Sequence, residues 1–413
     1  MNDWEVGATT AVHRFLLGLG AVGMAGASVA FLGAAYFARQ VVVPKTTRKE
    51  DLPIRRVFDG TDGELLVELP ASSQTTAPGR YSIWFATGSG HACIGPVVAN
   101  DPGAGSVTRV VERVDSGDLR AAKAGIWSAY VFSKAEQLGL PFSEVEIPVE
   151  GGVAPAWKFD PAEESARPNA WVIHIHGMGG KRGGALRGVP VAQRLGFTSL
   201  VVSFRNDGEA PPSADGRYTL GQSEWLDVDA AVNYAVDNGA KQIVLFGWSL
   251  GASIALRLAD LSAHSDRIVG LVLDAPVMDW TTTLIENAGA SGLPRPITAL
   301  GLRVLQSPQM RWVTGLKDPI DLPRLDWMSR ASEIKKPVLV LHGLEDPSTP
   351  FHVSQKIADL RPDVVHIVSF DTAGHSHEWN VDSGRWEDTA AALLESKHDE
   401  VFDRKESSAQ ARG

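Results

Sequence analysis

From residue 143 onward, short unbroken apolar runs alternate with stretches whose apolar positions recur at helical spacing. The runs are "AWVIHIHG", "FTSLVVSF", "QIVLFGWS", "RIVGLVLDA", "PVLVLHG" and "VVHIVSF". Rich in β-formers and apolar throughout, they are of the type buried on both faces of a parallel sheet. Ahead of them, "SEVEIPV" and "APAWKF" read as a hairpin. Between them lie helices such as "ASIALRLADLSAH" and "SEWLDVDAAVNYAVDNGA", the latter closing at a Gly239 C-cap. The alternation predicts a mostly parallel, doubly wound α/β sheet over residues 143–396. One gap breaks the rhythm at residues 279–334, far longer than a single crossover helix needs. Its tryptophans and leucines predict a helical lid rather than a loop. Because it leaves the sheet after a strand's carboxyl end, it is expected to cover the site there, with Leu302 and Leu305 lining an acyl pocket.

Upstream the texture differs. Residues 54 to about 115 carry short β-like runs such as "ELLVELP" and "YSIWFAT", separated by Gly, Pro, Asp and Ser clusters. They predict a small β-rich accessory domain over residues 46–142, closed by a helix at "DLRAAKAGIWSAYVFS" (118–133). Within it, Ser89, His91 and Cys93 read as turn residues beside an edge strand rather than as a nucleophile pair. Residues 397–413 form a charged tail.

At the other end, Phe15 to Ala38 carries no charge over 24 residues. As a helix it would be about 36 Å long, enough for a hydrocarbon core of about 30 Å. Its acidic start and its length argue for a retained transmembrane helix over a cleaved signal. Residues 1–45 are therefore expected to anchor the chain to a membrane. Arg14 alone precedes the run, whereas Arg39, Lys45, Arg48, Lys49, Arg55 and Arg56 follow it, which places the larger part in the cytoplasm.

A net charge of −10 without a basic block argues against a nucleic-acid partner. Cys93 is the single cysteine, which excludes an internal disulfide framework and a cysteine-built zinc site. His174, His176, His375 and His377 have no Cys or spaced Glu to complete a metal pattern, so neither metal nor cofactor is expected.

The chemistry gathers at strand ends. In "VLFGWSLGAS", Ser249 sits on a turn between a strand and a helix, flanked by Gly247 and Gly251. Such a turn lifts the serine oxygen above the sheet edge, and the glycines remove side chains that would clash. Serine needs a base to take its proton and an acid to orient that base. His375 in "AGHSHEWN" and Asp346 in "LHGLEDPSTP" follow the last two predicted strands. Parallel sheets bring such ends to one edge. His377 and Asp274 are the alternatives for base and acid. The backbone amides of Leu250 and of Met178, the latter in "HIHGMGG", are the candidate oxyanion donors.

Together "GWSLGAS", "HIHGMGG", "LHGLEDPSTP" and "AGHSHEWN" resemble the α/β-hydrolase superfamily, and within it the membrane-anchored and serine-aminopeptidase-like hydrolases. The family's tyrosine-arginine-glycine turn appears here as "SFRNDGEAP", keeping only Arg205. The resemblance implies a serine hydrolase cleaving a carboxylic ester through an acyl-enzyme. A peptidase or acyltransferase is the alternative on the same fold, and a non-catalytic binding protein the alternative from another class.

Overall fold

The computed structural model describes residues 28–45, 49–161, 167 and 169–410, with side chains described as far as residue 396. Two sheets divide these residues. The first contains β1 (Leu52–Pro53), β2 (Arg56–Asp59), β3 (Leu65–Pro70), β4 (Tyr81–Phe85), β5 (Gly90–Asp101), β6 (Ser106–Ser116) and β7 (Ala124–Ser128). Its order is β1-β7-β4-β5-β6-β3-β2, antiparallel at every pairing. Helix α1 (28–42) precedes it, and a single turn, α2 (Ser73–Thr76), follows β3. Val67, Leu69, Ile83, Phe85, Ile94 and Val107 form its own core.

The second sheet contains β8 (Ser143–Val149), β9 (Gly152–Phe159), β10 (Ala170–Ile175), β11 (Thr198–Val202), β12 (Gln242–Trp248), β13 (Ile268–Asp274), β14 (Val338–Gly343) and β15 (Val365–Phe370). The order β15-β14-β13-β12-β10-β11-β9-β8 is parallel from β15 to β11, with the β8–β9 hairpin added antiparallel. Helices α3 (Val189–Arg194) and α11 (Ser383–Gln410) cover one face, burying Val191, Trp386 and Leu394 against Val172, Phe246 and Leu341. On the other face lie α4 (Trp225–Asp237), α5 (Leu250–Leu261) and α9 (Phe351–Leu360), which bury Val228, Leu256 and Ile357 against Ile173, Leu245 and Leu271. Both faces are covered, so the central strands carry no polar alternation. Gly239 stands just past α4 at φ 95°, the left-handed position that ends a helix most cheaply with glycine.

Two expectations need correction, and a third is only partly within reach of the described residues. Residues 118–133 hold no helix: β7 runs through them, paired with β1 on one side and β4 on the other. A Cβ at Gly125 would stand 2.4 Å from Ile83 Cγ2 and 2.8 Å from Trp84 O, so β7 lies against β4 only because residue 125 is glycine.

The expected membrane helix falls only partly within the described residues. No helix among the described residues is long and apolar enough to cross a membrane. Residues 15–27 of the expected span lie outside the described residues. What is described, α1, does not stand clear of the rest. Ala34, Ala38 and Val42 are fully buried. A Cβ at Gly33 would come 3.2 Å from Ile297, and one at Gly301 would come 2.5 Å from the Phe37 ring. Arg39 donates to Val313 O at 2.9 Å, and Tyr218 N–H to Val42 O at 2.8 Å. The helix is thus packed on the long insertion.

The insertion itself is helical, comprising α6 (Trp280–Ala290), α7 (Arg295–Gln306), α8 (Arg311–Thr314) and two further 3-10 turns near Leu322 and Ala331. Leu302, Leu305, Leu316, Ile320 and Trp327 are buried in the same core as α4 and α5. The second correction follows from this burial: Leu302 and Leu305 are packing residues, and neither lines the site described below.

A short helix, α10 (Glu378–Val381), joins the two sheets. Asn380 Nδ2 donates to Arg80 O at 2.6 Å and to Ala129 O at 2.9 Å, and Arg80 N–H donates back to Asn380 O at 3.1 Å. A Cβ on Gly79 would overlap Asn380 O at 1.8 Å, so the first sheet can seat here only because residue 79 is glycine.

Candidate active site

Ser249 lies between β12 and α5 with φ 53° and ψ −112°, a backbone conformation that a non-glycine residue adopts at a cost of about 1–3 kcal/mol. The surroundings explain why it is held there. A Cβ at Gly247 would meet Gly251 O at 2.6 Å, and one at Gly251 would meet Ile175 O at 2.1 Å. Strand, turn and helix therefore close on one another only with glycine at both places. Ser249 N–H donates to Asp274 O at 2.9 Å, fixing the turn to β13.

His375 follows β15 and reaches back over this turn. Its Nε2 stands 2.9 Å from Ser249 Oγ, and its Nδ1 stands 2.8 Å from Asp346 Oδ2. Asp346 is a side chain without solvent exposure. Its Oδ1 accepts from Ser348 N–H at 2.7 Å and Thr349 N–H at 2.9 Å, and its Oδ2 accepts from the Thr349 hydroxyl at 2.6 Å. Burial alone would raise its pKa, but hydrogen bonds from His342 and His375 and attraction to His375 outweigh it and hold the carboxylate well below the usual range. Ser249, His375 and Asp346, distant in sequence, thus form one hydrogen-bonded line at the carboxyl edge of the sheet.

The two alternatives do other work. His377 makes no contact with Ser249; its ring packs edge-on against Tyr81 at 5.3 Å, and burial lowers its pKa to about 3. Asp274 accepts from Trp386 Nε1 at 2.7 Å and lies against Glu378. Burial raises both carboxyls. Their mutual interaction lowers Asp274 and raises Glu378 further. Neither touches His375 through a hydrogen bond.

The amide of Leu250 opens α5, where helix geometry leaves it without an intrahelical acceptor. Met178 lies in the loop after β10, whose position is set by neighbours on both sides. Gly177 sits against the nucleophile candidate, since its Cβ would come 3.2 Å from Ser249 Cβ. His176 donates through Nδ1 to Gly177 O at 2.9 Å, with Nε2 held 3.2 Å from Asp207 Oδ2 and the ring stacked on Phe204 at 4.2 Å. Tyr218 Oη accepts from Gly179 N–H at 3.2 Å and donates to Asn206 O at 3.0 Å. Leu250 thus follows Ser249 at the start of α5, and Met178 lines the same chamber as Ser249. His174, by contrast, is wholly buried with Nε2 on Ser199 Oγ at 3.1 Å, and burial lowers its pKa to about 3.

The chamber over Ser249 has a volume of about 170 Å³. Trp127, Ser128, Ala129 and Tyr130 form one wall, and Met178, Arg187, Trp248 and His377 contribute to the other. No residue of 279–334 lines it. Trp127, Ser128, Ala129 and Tyr130 escaped the sequence reading because they come from the end of the first sheet. Arg187 escaped it too: its guanidinium donates to Ser376 O at 2.9 Å and Asn380 Oδ1 at 2.6 Å, bracing the loop that carries His375. Ser89 and Cys93 are outside this chamber; burial, with the charge of Glu112, pushes the Cys93 thiol up to about 12, so it is no thiolate nucleophile.

Residues 170–292 match the family described as alpha/beta hydrolase fold, and residues 54–128 match a domain family of unknown function, DUF8805. Residues 170–292 thus place this region of the chain in the α/β-hydrolase superfamily. It is similar to the alpha/beta hydrolase domain-containing protein WAV2 of Arabidopsis thaliana, 26% identical over 45% of this chain and 57% of that protein. It is also similar to the lysophosphatidylserine lipase ABHD12 of Mus musculus, 25% identical over 47% of this chain and 46% of that one. The chain spans about half the length of the curated relatives it matches. Among solved structures, the Pyrococcus furiosus esterase Pf2001 is 20% identical with a TM-score of 0.49, covering 64% of this chain and 94% of that chain.

Proposed function

We propose that the protein is a serine hydrolase that cleaves a carboxylic ester through an acyl-enzyme. The observation that carries this reading is the line Ser249 Oγ–His375–Asp346, set on a strained turn at the start of α5. His375 Nε2 takes the Ser249 proton as Oγ attacks the carbonyl carbon. Asp346 accepts from Nδ1–H and stabilises the imidazolium. Leu250 and Met178 N–H groups receive the oxyanion. Collapse expels the alcohol, protonated by His375, and water repeats the sequence to release the acid. Every proton moves between groups of the chain, substrate and water, so the sequence of steps needs no cofactor.

The name of one relative, a lysophosphatidylserine lipase, supports an ester as the bond attacked. A fluorophosphonate probe tests the mechanism: labelling is expected on Ser249 and absent from Ser249→Ala. Labelling that persists in the variant overturns the assignment, and a chain neither labelled nor active would be a binding protein on this scaffold. A panel of esters, thioesters and aminoacyl amides separates esterase from peptidase, and added alcohols reveal acyl transfer. Membrane attachment through residues 15–38 belongs to the same reading, supported by the charge-free run and by the exposure of Val29, Leu32 and Tyr36 on α1. Carbonate extraction tests it; a chain released by carbonate has no inserted span.

A further inference from the structure

Beside the chamber lies a larger cleft, about 570 Å³, between the first sheet and the loop after β10. Ser128 and Tyr130 stand in the walls of both. On the first-sheet side, Trp84 and Ile126 are cross-strand partners of β4 and β7 and therefore project to one face. On the other side the wall is Gly179, Gly180 and Gly183 with Trp157 beyond them. The glycines let Tyr130 lie close: a Cβ at Gly180 would come 2.3 Å from its Oη, and one at Gly184 would come 2.4 Å from its ring. Tyr130 is thus the shared partition where cleft and chamber meet.

The chemistry of the cleft is apolar where a ligand would lie. Its carboxylates are already engaged: Glu50 accepts from Thr87 N–H at 2.6 Å, and Glu209 accepts from Arg182. Lys181 is exposed. What remains is tryptophan, isoleucine, glycine backbone and a few hydroxyls, a lining that favours an uncharged, extended hydrocarbon over an ion or a peptide. The chamber of about 170 Å³ has room for the ester group and a short acyl chain, so a chain as long as laurate must leave it, and the neighbouring cleft begins at its wall.

We propose that the cleft between the first sheet and the 179–183 loop binds the apolar chain of the ester substrate, and that Trp84 and Ile126 of the first sheet select its length. The proposal rests on the ester-hydrolase reading above. It makes the first sheet, rather than the insertion, the part of the chain that determines specificity.

The test uses the full chain and p-nitrophenyl esters from acetate to laurate. Ile126→Trp fills the cleft and is expected to lower the laurate-to-acetate ratio of kcat/KM at least tenfold, about 1.4 kcal/mol of transition-state binding. Leu302→Ala, in the insertion, leaves that ratio within about twofold, since Leu302 lines neither the chamber nor the cleft. Trp84→Ala widens the cleft, moves the length optimum upward, and serves if the tryptophan variant does not fold. Laurate binding to Ser249→Ala by calorimetry reads the cleft without turnover, and is expected to be lost in Ser249→Ala/Ile126→Trp. An unchanged ratio in a folded Ile126→Trp, or laurate binding that survives it, overturns the proposal. Absent hydrolysis of every ester together with absent labelling of Ser249 overturns the hydrolase reading instead, and the laurate experiment still decides the cleft.

Discussion

The insertion at 279–334 and the first sheet compete for the same role, and the comparison turns on where each buries its apolar side chains. The insertion leaves the catalytic sheet directly after β13, at the edge where Ser249 stands, and carries enough leucine and tryptophan to line a pocket. Yet its side chains turn down onto α4, α5 and α1. The first sheet precedes the catalytic sheet and has a core of its own, but the residues at the end of β7 pass over the serine. Proximity along the chain to a catalytic edge is therefore a poor guide to what covers it. What decides is where polar anchors fix a segment: Asn380, five residues after His375, holds Arg80 and Ala129 beside the first sheet, and Arg187 ties Asn380 to Ser376 of the loop that carries His375.

The largest effect should come from the line both regions would have to serve. Asp346→Asn is expected to lower kcat by about 10⁴, because the amide favours the wrong imidazole tautomer. Single-turnover kinetics with an activated ester measures it. A loss of less than about tenfold would remove Asp346 from the mechanism and leave no common centre for the comparison.

How much of this could be read beforehand depends on the range of the forces involved. The strand, elbow and helix at Ser249 were legible because the need for Gly247 and Gly251 is local, arising from backbone atoms a few residues away or on the adjacent strand. The catalytic strands were legible as well, since burial on two faces leaves a continuous apolar run. Residues 118–133 were not. Ala121, Ala122 and Ala124 favour helix weakly, and pairing with β1 and β4, which no local pattern announces, overrides that preference. The chamber's first-sheet wall was illegible for the same reason: Trp127 and Ser249 meet only through the docking of two sheets. A run of apolar residues does not say which partner it will cover, and Leu302 and Leu305 were misplaced on that account.

The next prediction strikes the insertion. Leu305 is fully buried, so Leu305→Ala is expected to destabilise by about 2–5 kcal/mol through lost burial and the cavity left behind. Denaturant unfolding measures the loss. The ester-length profile of the folded variant should match that of the original chain. A shifted profile would mean that the insertion reaches the substrate after all, and the contrast between the two regions would fall.

Asn380→Ala attacks the opposite side of the comparison. It removes two donors to the first sheet and leaves the buried guanidinium of Arg187 short of an acceptor, which together should cost about 2–3 kcal/mol. Unlike Leu305→Ala, it should also raise KM for long esters more than for acetate, because the sheet that forms the wall is loosened from the serine. Equal changes for both esters would make Asn380 a purely structural joint.

The smallest effect separates the two regions by pH. Glu378 sits beside Asn380 on α10, where burial first and then the neighbouring Asp274 carboxylate raise its pKa well above the ordinary value of 4.5. Its Oε1 accepts from Gly343 N–H at 2.7 Å, so the side chain ties the joint to β14. With the folded value above the unfolded one, the folded state keeps a proton that the unfolded chain releases. Stability from this group is therefore complete below about 4.5 and declines as pH rises through the folded value. Glu378→Gln keeps the acceptor for Gly343 and a donor toward Asp274 but has nothing to titrate. Its Tm relative to the original chain should climb between about pH 5 and about pH 9, by about 2 °C if the linkage is worth about 1 kcal/mol in a chain of this size. The insertion contributes no carboxyl to this pair, so Leu305→Ala should show the same loss at both ends of that range. A difference between Glu378→Gln and the original chain that stays flat with pH would mean that Glu378 is not the proton holder, and that the joint carrying the first sheet to the serine is built on another group.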